Sequence, residues 1–135
     1  MEVLFKRDYN LMIKHRSIEV YLNDEFIDYI NPKDVDKIIK IEERGRLYLR
    51  VNNSSSNVIN LNKINETDFL KLSFTSQIQN GLFVFIALTF FGSLLLGFFD
   101  IISVYFRMAL MLPFAIIVYW QTLGKKNYLR LTIEN

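Results

Sequence analysis

Residues 81–120 read GLFVFIALTFFGSLLLGFFDIISVYFRMALMLPFAIIVYW, an apolar block that is interrupted by only two charged side chains, Asp100 and Arg107. A helix that crosses a membrane needs roughly 20 apolar residues, because it rises about 1.5 Å per residue and the hydrocarbon core is about 30 Å thick. The block has room for two such helices. We therefore predict a transmembrane helical hairpin, with helices over about 81–99 and 101–120 and a tight turn at Asp100.

The block divides the chain of 135 residues into a polar head (1–77), the hairpin (81–120) and a short polar tail (125–135). The head carries equal numbers of basic and acidic residues, which argues against a nucleic-acid-binding surface. Positive charge flanks the hairpin, chiefly at Lys125 and Lys126, and such charge stays on the cytoplasmic side. We expect a multi-pass protein of the bacterial inner (plasma) membrane, with both termini cytoplasmic and the lipid bilayer as its first partner.

The head shows the alternation of polar and apolar residues that is typical of half-buried strands. Arg46 to Val51 is the clearest case, because Leu47, Leu49 and Val51 share one face. The other predicted strands are 18–22, 26–30, 35–41, 58–61 and 69–74, with weaker candidates at 1–6 and 11–14. Their regular spacing predicts a mainly β head, a small antiparallel β-sandwich or barrel. A short helix over 32–41 is the competing interpretation.

The tail has a strand pattern of its own, in which Leu129, Leu131 and Ile133 alternate with polar residues. A lone strand is not stable in water, so we expect this one to return to the head and join its sheet. The hairpin is then an insertion before the last strand. A disordered or surface-bound tail is the alternative.

Small residues recur at four-residue intervals in the first predicted helix, at Thr89, Ser93 and Gly97. Such a stripe lets another helix backbone approach closely. The partner is either the second helix of the same chain, near Ala109 and Pro113, or another copy of the protein. Pro113 is expected to kink its helix, because proline removes a backbone hydrogen bond.

Arg107 is the discordant residue of the block. If the second helix begins at Ile101, Arg107 lies about 10 Å along it and can extend to the outer headgroups. If the helix begins near Met108, Arg107 marks its outer end. A third interpretation makes Arg107, paired with Asp100, part of a pore or interface in an oligomer.

The residues that most enzymes use are scarce. The chain has no cysteine and a single histidine, His15, so it can build neither a Cys–His pair nor a typical metal cluster. We predict no catalytic, cofactor-binding or metal-binding residues. If the head has a ligand face, we expect it at Tyr48, Arg50, Asn52 and Asn53, where arginine beside an amide-rich loop can bind phosphate or carboxylate.

The run SIEVYLNDEFIDYI (17–30) followed by ERGRLYLRV (43–51) resembles the small bacterial β-sandwich modules of the PEGA type. In those modules a V-x-V-x-x-D-G hairpin precedes a G-x-H-x-L-x-V strand. The resemblance implies a non-enzymatic binding or scaffolding module that is tethered to a membrane. It carries over no catalytic residue.

Two functions are compatible with these expectations. The first is a membrane protein whose cytosolic β-domain is a non-enzymatic binding or assembly module, in a homo-oligomer or with a membrane-protein partner. The alternative is an oligomeric membrane effector or ligand-gated pore, which is controlled by ligand binding to the β-domain.

Overall fold

The computed structural model of the protein describes residues 1–65 and 69–134. Within these ranges the fold is rich in β-structure and also contains helices, which confirms the coarse fold prediction. The strands are β1 (Glu2–Arg7), β2 (Ile18–Leu22), β3 (Glu25–Ile30), β4 (Asp36–Lys40), β5 (Arg46–Val51), β6 (Ser54–Ser55), β7 (Ile59–Asn60), β8 (Phe69–Ser76) and β9 (Leu129–Glu134). The helices are α1 (Asn80–Phe98), α2 (Val104–Met111) and α3 (Phe114–Thr122), with 3₁₀ turns at Leu61–Lys63 and Lys125–Asn127. Asn135, in the predicted tail, lies outside the described residues.

The strands form two sheets over one core. The first sheet has the order β4-β1-β8-β9, and the second has the order β3-β2-β5-β6, with β7 also paired to β5. Buried side chains of both sheets belong to a single hydrophobic cluster, to which Phe5 and Phe74 contribute from the first sheet and Leu49 from the second. Burying these apolar side chains is the main force that holds the sheets together.

A two-residue turn joins β2 to β3. Asn23 and Asp24 both have positive φ values, 52° and 67°. Two consecutive left-handed residues are the mark of a type I′ turn, whose twist matches that of the flanking strands. Asn and Asp tolerate this conformation better than other non-glycine residues.

The pairing of β1 with β8 is parallel, whereas we predicted an antiparallel sheet. β1 lies in the middle of its sheet, between β4 and β8, and the chain passes through the whole second sheet before β8 begins. A parallel pair needs such a long crossover, and strand-by-strand alternation gives no information about it. The antiparallel prediction is therefore wrong for this pair.

The structure also gives the conformation of two segments of the head whose sequence patterns were ambiguous. Residues 11–14, a candidate strand, form turns, in which Ile13 is buried and Met12 packs against the core. Residues 36–40, which had a helical alternative, form β4 and pair with β1. In β4 Ile39 is buried while Ile38 is 57% exposed, so the alternation of a strand describes these isoleucines better than a helical face does.

All three helices lie between β8 and β9 in the chain. α1 ends in a Schellman motif, because the amide of Asp100 donates to Gly97 O (3.2 Å) and that of Ile101 donates to Leu96 O (3.1 Å). Asp100 takes the left-handed position of that motif, with φ 52°. The second helix was predicted as one segment over 101–120, but it begins at Val104 and is divided into α2 and α3.

The division of the second helix lies at Pro113, where the sequence predicts a kink. α2 and α3 are bent by 46° relative to each other. The cause is local, since proline has no amide hydrogen to donate and its ring obstructs the carbonyl four residues earlier.

The helices expose most of their apolar surface. Neither α2 nor α3 has a buried residue, and α1 has only Ile86 and Ser93. By length and composition, α1 can cross a membrane, and α2 with α3 can do so only if the bent pair is a single span. The two-helix membrane hairpin is therefore not established by the fold.

Side-chain contacts join the two sheets at both of their edges. On one side, Lys37 of β4 forms an ion pair with Asp28 of β3 (2.9 Å) and donates to Tyr29 O. On the other side, Asn57 donates to Leu131 O (2.9 Å) and accepts from the Leu131 amide (2.8 Å). The Asn57 contact fixes β9 to the segment between β6 and β7.

Replacing Asn57 by Ala is expected to destabilise the protein by about 2 kcal/mol, because two backbone groups of Leu131 lose their partner. Urea denaturation of the full chain measures the change, and hydrogen exchange at the Leu131 amide locates it. Asn62→Ala, at an exposed position outside the sheets, is the matched control. Unchanged protection of the Leu131 amide would contradict the assignment.

Candidate functional site

The residues of the predicted ligand face separate into two surfaces. Tyr48 and Arg50 are half-buried on β5 and point to the outer face of the second sheet, opposite the buried Leu49. Asn52 and Asn53 lie in the turn that follows and line a cleft next to the helices. The four residues therefore do not form one site.

An aromatic face covers the outer side of the second sheet; it consists of Tyr21, Phe26, Tyr29 and Tyr48. Register explains it, because Tyr21 of β2 is opposite both Phe26 of β3 and Tyr48 of β5. The Tyr21 and Tyr48 rings are stacked, with centroids 5.3 Å apart, and Phe26 meets the edge of Tyr21 at 5.9 Å. Phe26 and Tyr29 remain 46% exposed, so the face presents apolar area to the surroundings.

Charged side chains surround the aromatic face. Arg50 lies over the Tyr21 ring, with its guanidinium carbon 6.0 Å from the centroid, and its Nε donates to Asn52 O. Asp24 accepts hydrogen bonds from the Tyr48 hydroxyl (3.2 Å) and from Arg46 (3.0 Å). Burial and the Asp24 carboxylate both raise the pKa of Tyr48, so its hydroxyl is a donor at neutral pH.

The ion pair between Lys37 and Asp28, at the edge of this face, shifts the pKa of the Asp28 carboxyl. Asp28 accepts from Lys37, and this hydrogen bond lowers the pKa of the Asp28 carboxyl. The carboxylate is therefore ionised throughout the neutral range, and the contribution of the pair to stability is lost only as the pH falls through the lowered pKa. Both side chains are partly exposed, so that contribution is small.

The second surface is a cleft of about 250 Å³ at the junction of the β-domain and the helices, which we name the junction cleft. Donor groups surround most of it. Its lining residues are Arg16, Val51, Asn52, Asn53, Ser54, Gln121 and Tyr128.

Hydrogen bonds near the start of α1 and after the end of α3 stabilise this junction. Ser55 Oγ donates to Lys126 O (3.1 Å), and the Gln77 amide donates to Tyr128 O (2.9 Å). On the other flank the Asn80 side chain contacts the loop after β1, accepting from the Leu11 amide and donating to Tyr9 O. The β-domain therefore contacts both the start of α1 and the segment that follows α3.

Basic side chains collect at the same end of the domain. Arg16 lines the junction cleft, Lys125 and Lys126 follow α3, and Arg130 lies with Asn80 in a neighbouring depression. The three ion pairs found within residues 1–65 and 69–134 lie elsewhere, at Lys6–Glu134, Lys37–Asp28 and Arg46–Asp24. The end of the domain from which the helices leave is therefore its cationic end.

Arg7 positions the loop that carries Arg16. Its guanidinium donates to Ile13 O (2.7 Å) and Arg16 O (2.9 Å) in that loop, and to the carbonyls of Ile30 and Asn31 at the end of β3 (3.0 and 3.1 Å). Burial lowers the pKa of Arg7, and nearby Asp34 opposes that effect. An arginine nevertheless stays charged in a protein, so Arg7 is a permanent cation bound by four carbonyls.

The small residues of α1 pack within the hairpin. Ser93 is fully buried, and its hydroxyl donates to Arg107 O (3.2 Å). Gly97 O accepts from the Arg107 guanidinium (3.4 Å), while Thr89 donates to Ile86 O in its own helix. The close approach at Ser93 and Gly97 is therefore made with α2 of the same chain.

Arg107 and Asp100 both act at the tip of the hairpin. Arg107 lies against the last turn of α1, where the carbonyl ends of a helix attract a cation. Asp100 supplies the left-handed residue of the turn. Within the described ranges these two side chains do not form an ion pair, because the three pairs given above are the only ones within 4 Å.

Comparison of the chain with models of known protein families, with curated proteins and with solved structures finds no match. Within residues 1–65 and 69–134, no three His, Cys, Asp or Glu side chains come together in a group that could hold a metal ion. The candidate sites are therefore the aromatic face and the junction cleft.

Arg7 should fix the loop after β1, so Arg7→Met is expected to destabilise the full chain by about 3 kcal/mol. Arg7→Lys should recover part of this loss, since one ammonium cannot satisfy four carbonyls. Urea denaturation measures both. Arg44→Met, on an exposed turn, should change stability by less than about 0.5 kcal/mol. Equal effects at the two positions would refute the assignment to Arg7.

Proposed function

We propose that the protein is an integral membrane protein whose β-domain is a non-enzymatic binding or assembly module at one membrane surface. The observation that carries the proposal is the exposure of the helices, because α2 and α3 bury no residue in the protein itself. Exposed apolar area on this scale needs a partner, and the bilayer is a solvent that suits it. α1 is about 28 Å long, close to the thickness of the hydrocarbon core.

The charge distribution supports a cytoplasmic orientation of the β-domain. Lys125 and Lys126 follow the helices directly, and folding brings Arg16 to the same end. Positive charge next to a span is retained on the cytoplasmic side. In this arrangement α2 and α3 together form the second, kinked span, and the turn at Asp100 faces outward. The membrane we propose is the plasma membrane of a bacterium.

We place the binding role on the aromatic face. Tyrosine and arginine are enriched among the residues that dominate protein interfaces, because they offer large area and directed polar groups at low entropic cost. Stacking on Tyr21 and the Asp24 contact hold Tyr48 and Arg50 in place before any partner binds. A rigid surface of this kind suits another membrane protein of the same assembly.

A ligand-gated pore is the second candidate. It is favoured by the direct connection of α3 to β9 through the turn at Lys125–Asn127, since any movement of the helix is transmitted to the sheet. The packing of Ser93 and Gly97 against α2 weighs the other way, because that surface is then occupied within each chain. We therefore rank it second.

The membrane proposal has a direct test, because the chain contains no cysteine and single cysteines can be introduced cleanly. Ile101→Cys, at the tip of the hairpin, should react with a membrane-impermeant maleimide in intact cells. Asn62→Cys, in the β-domain, should react only after the cells are made permeable. Reaction of both variants in intact cells, or recovery of the chain in the soluble fraction, would contradict the proposal.

The binding role predicts that the protein migrates, in gently solubilised membranes of its host, as part of an assembly heavier than the single chain. Phe26→Asp should release it, because a carboxylate on the exposed ring position breaks an apolar contact. Lys63→Asp, at an exposed position outside the aromatic face, is the control. Native electrophoresis measures the mass. A purified chain that forms higher oligomers alone would favour the ligand-gated pore. An assembly whose mass is unchanged by Phe26→Asp would refute the assignment of the binding role to the aromatic face.

A further inference from the structure

We propose that the junction cleft binds the phosphate of an anionic lipid headgroup from the adjoining membrane leaflet. The proposal rests on the proposed membrane location and adds a ligand class to it. Three observations carry it: an arginine in the cleft, amide and hydroxyl groups around that arginine, and the position of the cleft where the helices meet the β-domain.

Arg16 is the anionic ligand's principal partner. Its side chain is exposed and lines the cleft, and within the described residues it forms no hydrogen bond or ion pair of its own. The Arg16 carbonyl is held by Arg7, so the loop that presents the guanidinium is fixed in advance. A guanidinium presented by such a loop can donate two parallel hydrogen bonds to a phosphate.

The rest of the lining supplies neutral donors. Asn52, Asn53 and Gln121 contribute side-chain amides, and Ser54 contributes a hydroxyl. The lining contains no carboxylate, and Lys125 and Lys126 lie just beyond it, next to the Ser55 contact. An anion in this cleft therefore meets donors and positive charge, with no nearby carboxylate in the lining to repel it.

The position of the cleft selects a lipid as the source of the phosphate. Gln121 lies in the last turn of α3, one residue after Trp120, and aromatic residues such as Trp120 favour the headgroup level of a bilayer. Tyr128, which also lines the cleft, immediately precedes β9. A headgroup at the membrane surface thus lies at the depth of the Arg16 guanidinium, and basic clefts at this level bind anionic headgroups.

The test uses the full-length chain in a neutral detergent, with native mass spectrometry to count bound lipid. Short-chain phosphatidylglycerol and phosphatidylcholine are titrated separately. We expect preferential binding of phosphatidylglycerol, and a loss of about tenfold in its affinity for Arg16→Gln, equivalent to one charge-assisted contact. Arg16→Lys should lose less, because it keeps the charge but not the paired donors.

Arg44→Gln is the matched control, since Arg44 is an exposed arginine just before β5, whereas the cleft lies at the opposite end of that strand. It should leave phosphatidylglycerol binding unchanged. Equal affinities of the wild type and Arg16→Gln, or equal binding of the two lipids, would overturn the proposal. Inorganic phosphate that competes at the affinity of the lipid would assign the cleft to free phosphate instead.

The membrane location is measured separately by the cysteine-labelling experiment. If the chain is inserted as expected but its affinity for phosphatidylglycerol does not depend on Arg16, only this inference is removed. A chain that is not inserted removes the proposed function itself.

Discussion

The pairing of β8 with β9 is the interaction on which the arrangement of the whole molecule depends. It runs from Lys71–Glu134 to Ser76–Leu129, and everything between its inner ends, including all three helices, is a closed excursion from one sheet. Closing so long a loop costs only slightly more entropy than closing a short one, so one ladder of backbone hydrogen bonds can sustain it. The ladder forces the first residue of α1 and the last of α3 to lie close together. The junction cleft and the cationic end of the domain both follow from that constraint.

Arg7 solves a second problem that the topology creates. β1 lies in the centre of its sheet, and the chain must leave it by a loop that crosses to the other sheet before β2. In that loop Ile13 is buried in the core, and Met12 packs against the core. Arg7 adds polar contacts to these apolar ones, because its guanidinium binds carbonyls of this loop and of the end of β3. The same contact positions the loop that carries Arg16 at the junction cleft, so a structural residue determines where this surface charge lies.

Much of the β-domain is readable from side-chain alternation, as at Leu47, Leu49 and Val51, because burial on one face imposes a period of two. The parallel partner of β1 is not readable in this way, since pairing across the sheet depends on contacts far apart in sequence. The candidate sites show the same limit. Arg50 and Asn52 are near neighbours in the chain, but the strand and its turn direct them to different surfaces. No local sequence pattern marks Arg7, because the carbonyls that its guanidinium binds come from two other segments of the chain.

The position of β9 also determines when the sheet can be completed during synthesis. Until the residues after α3 have left the ribosome, β8 has a vacant edge, and an unpaired edge strand readily joins the wrong partner. All three helices are made in that interval. The completed β-domain is therefore a late product of biosynthesis, and a chain that is truncated before Leu129 would contain every helix but would lack the strand that closes its first sheet.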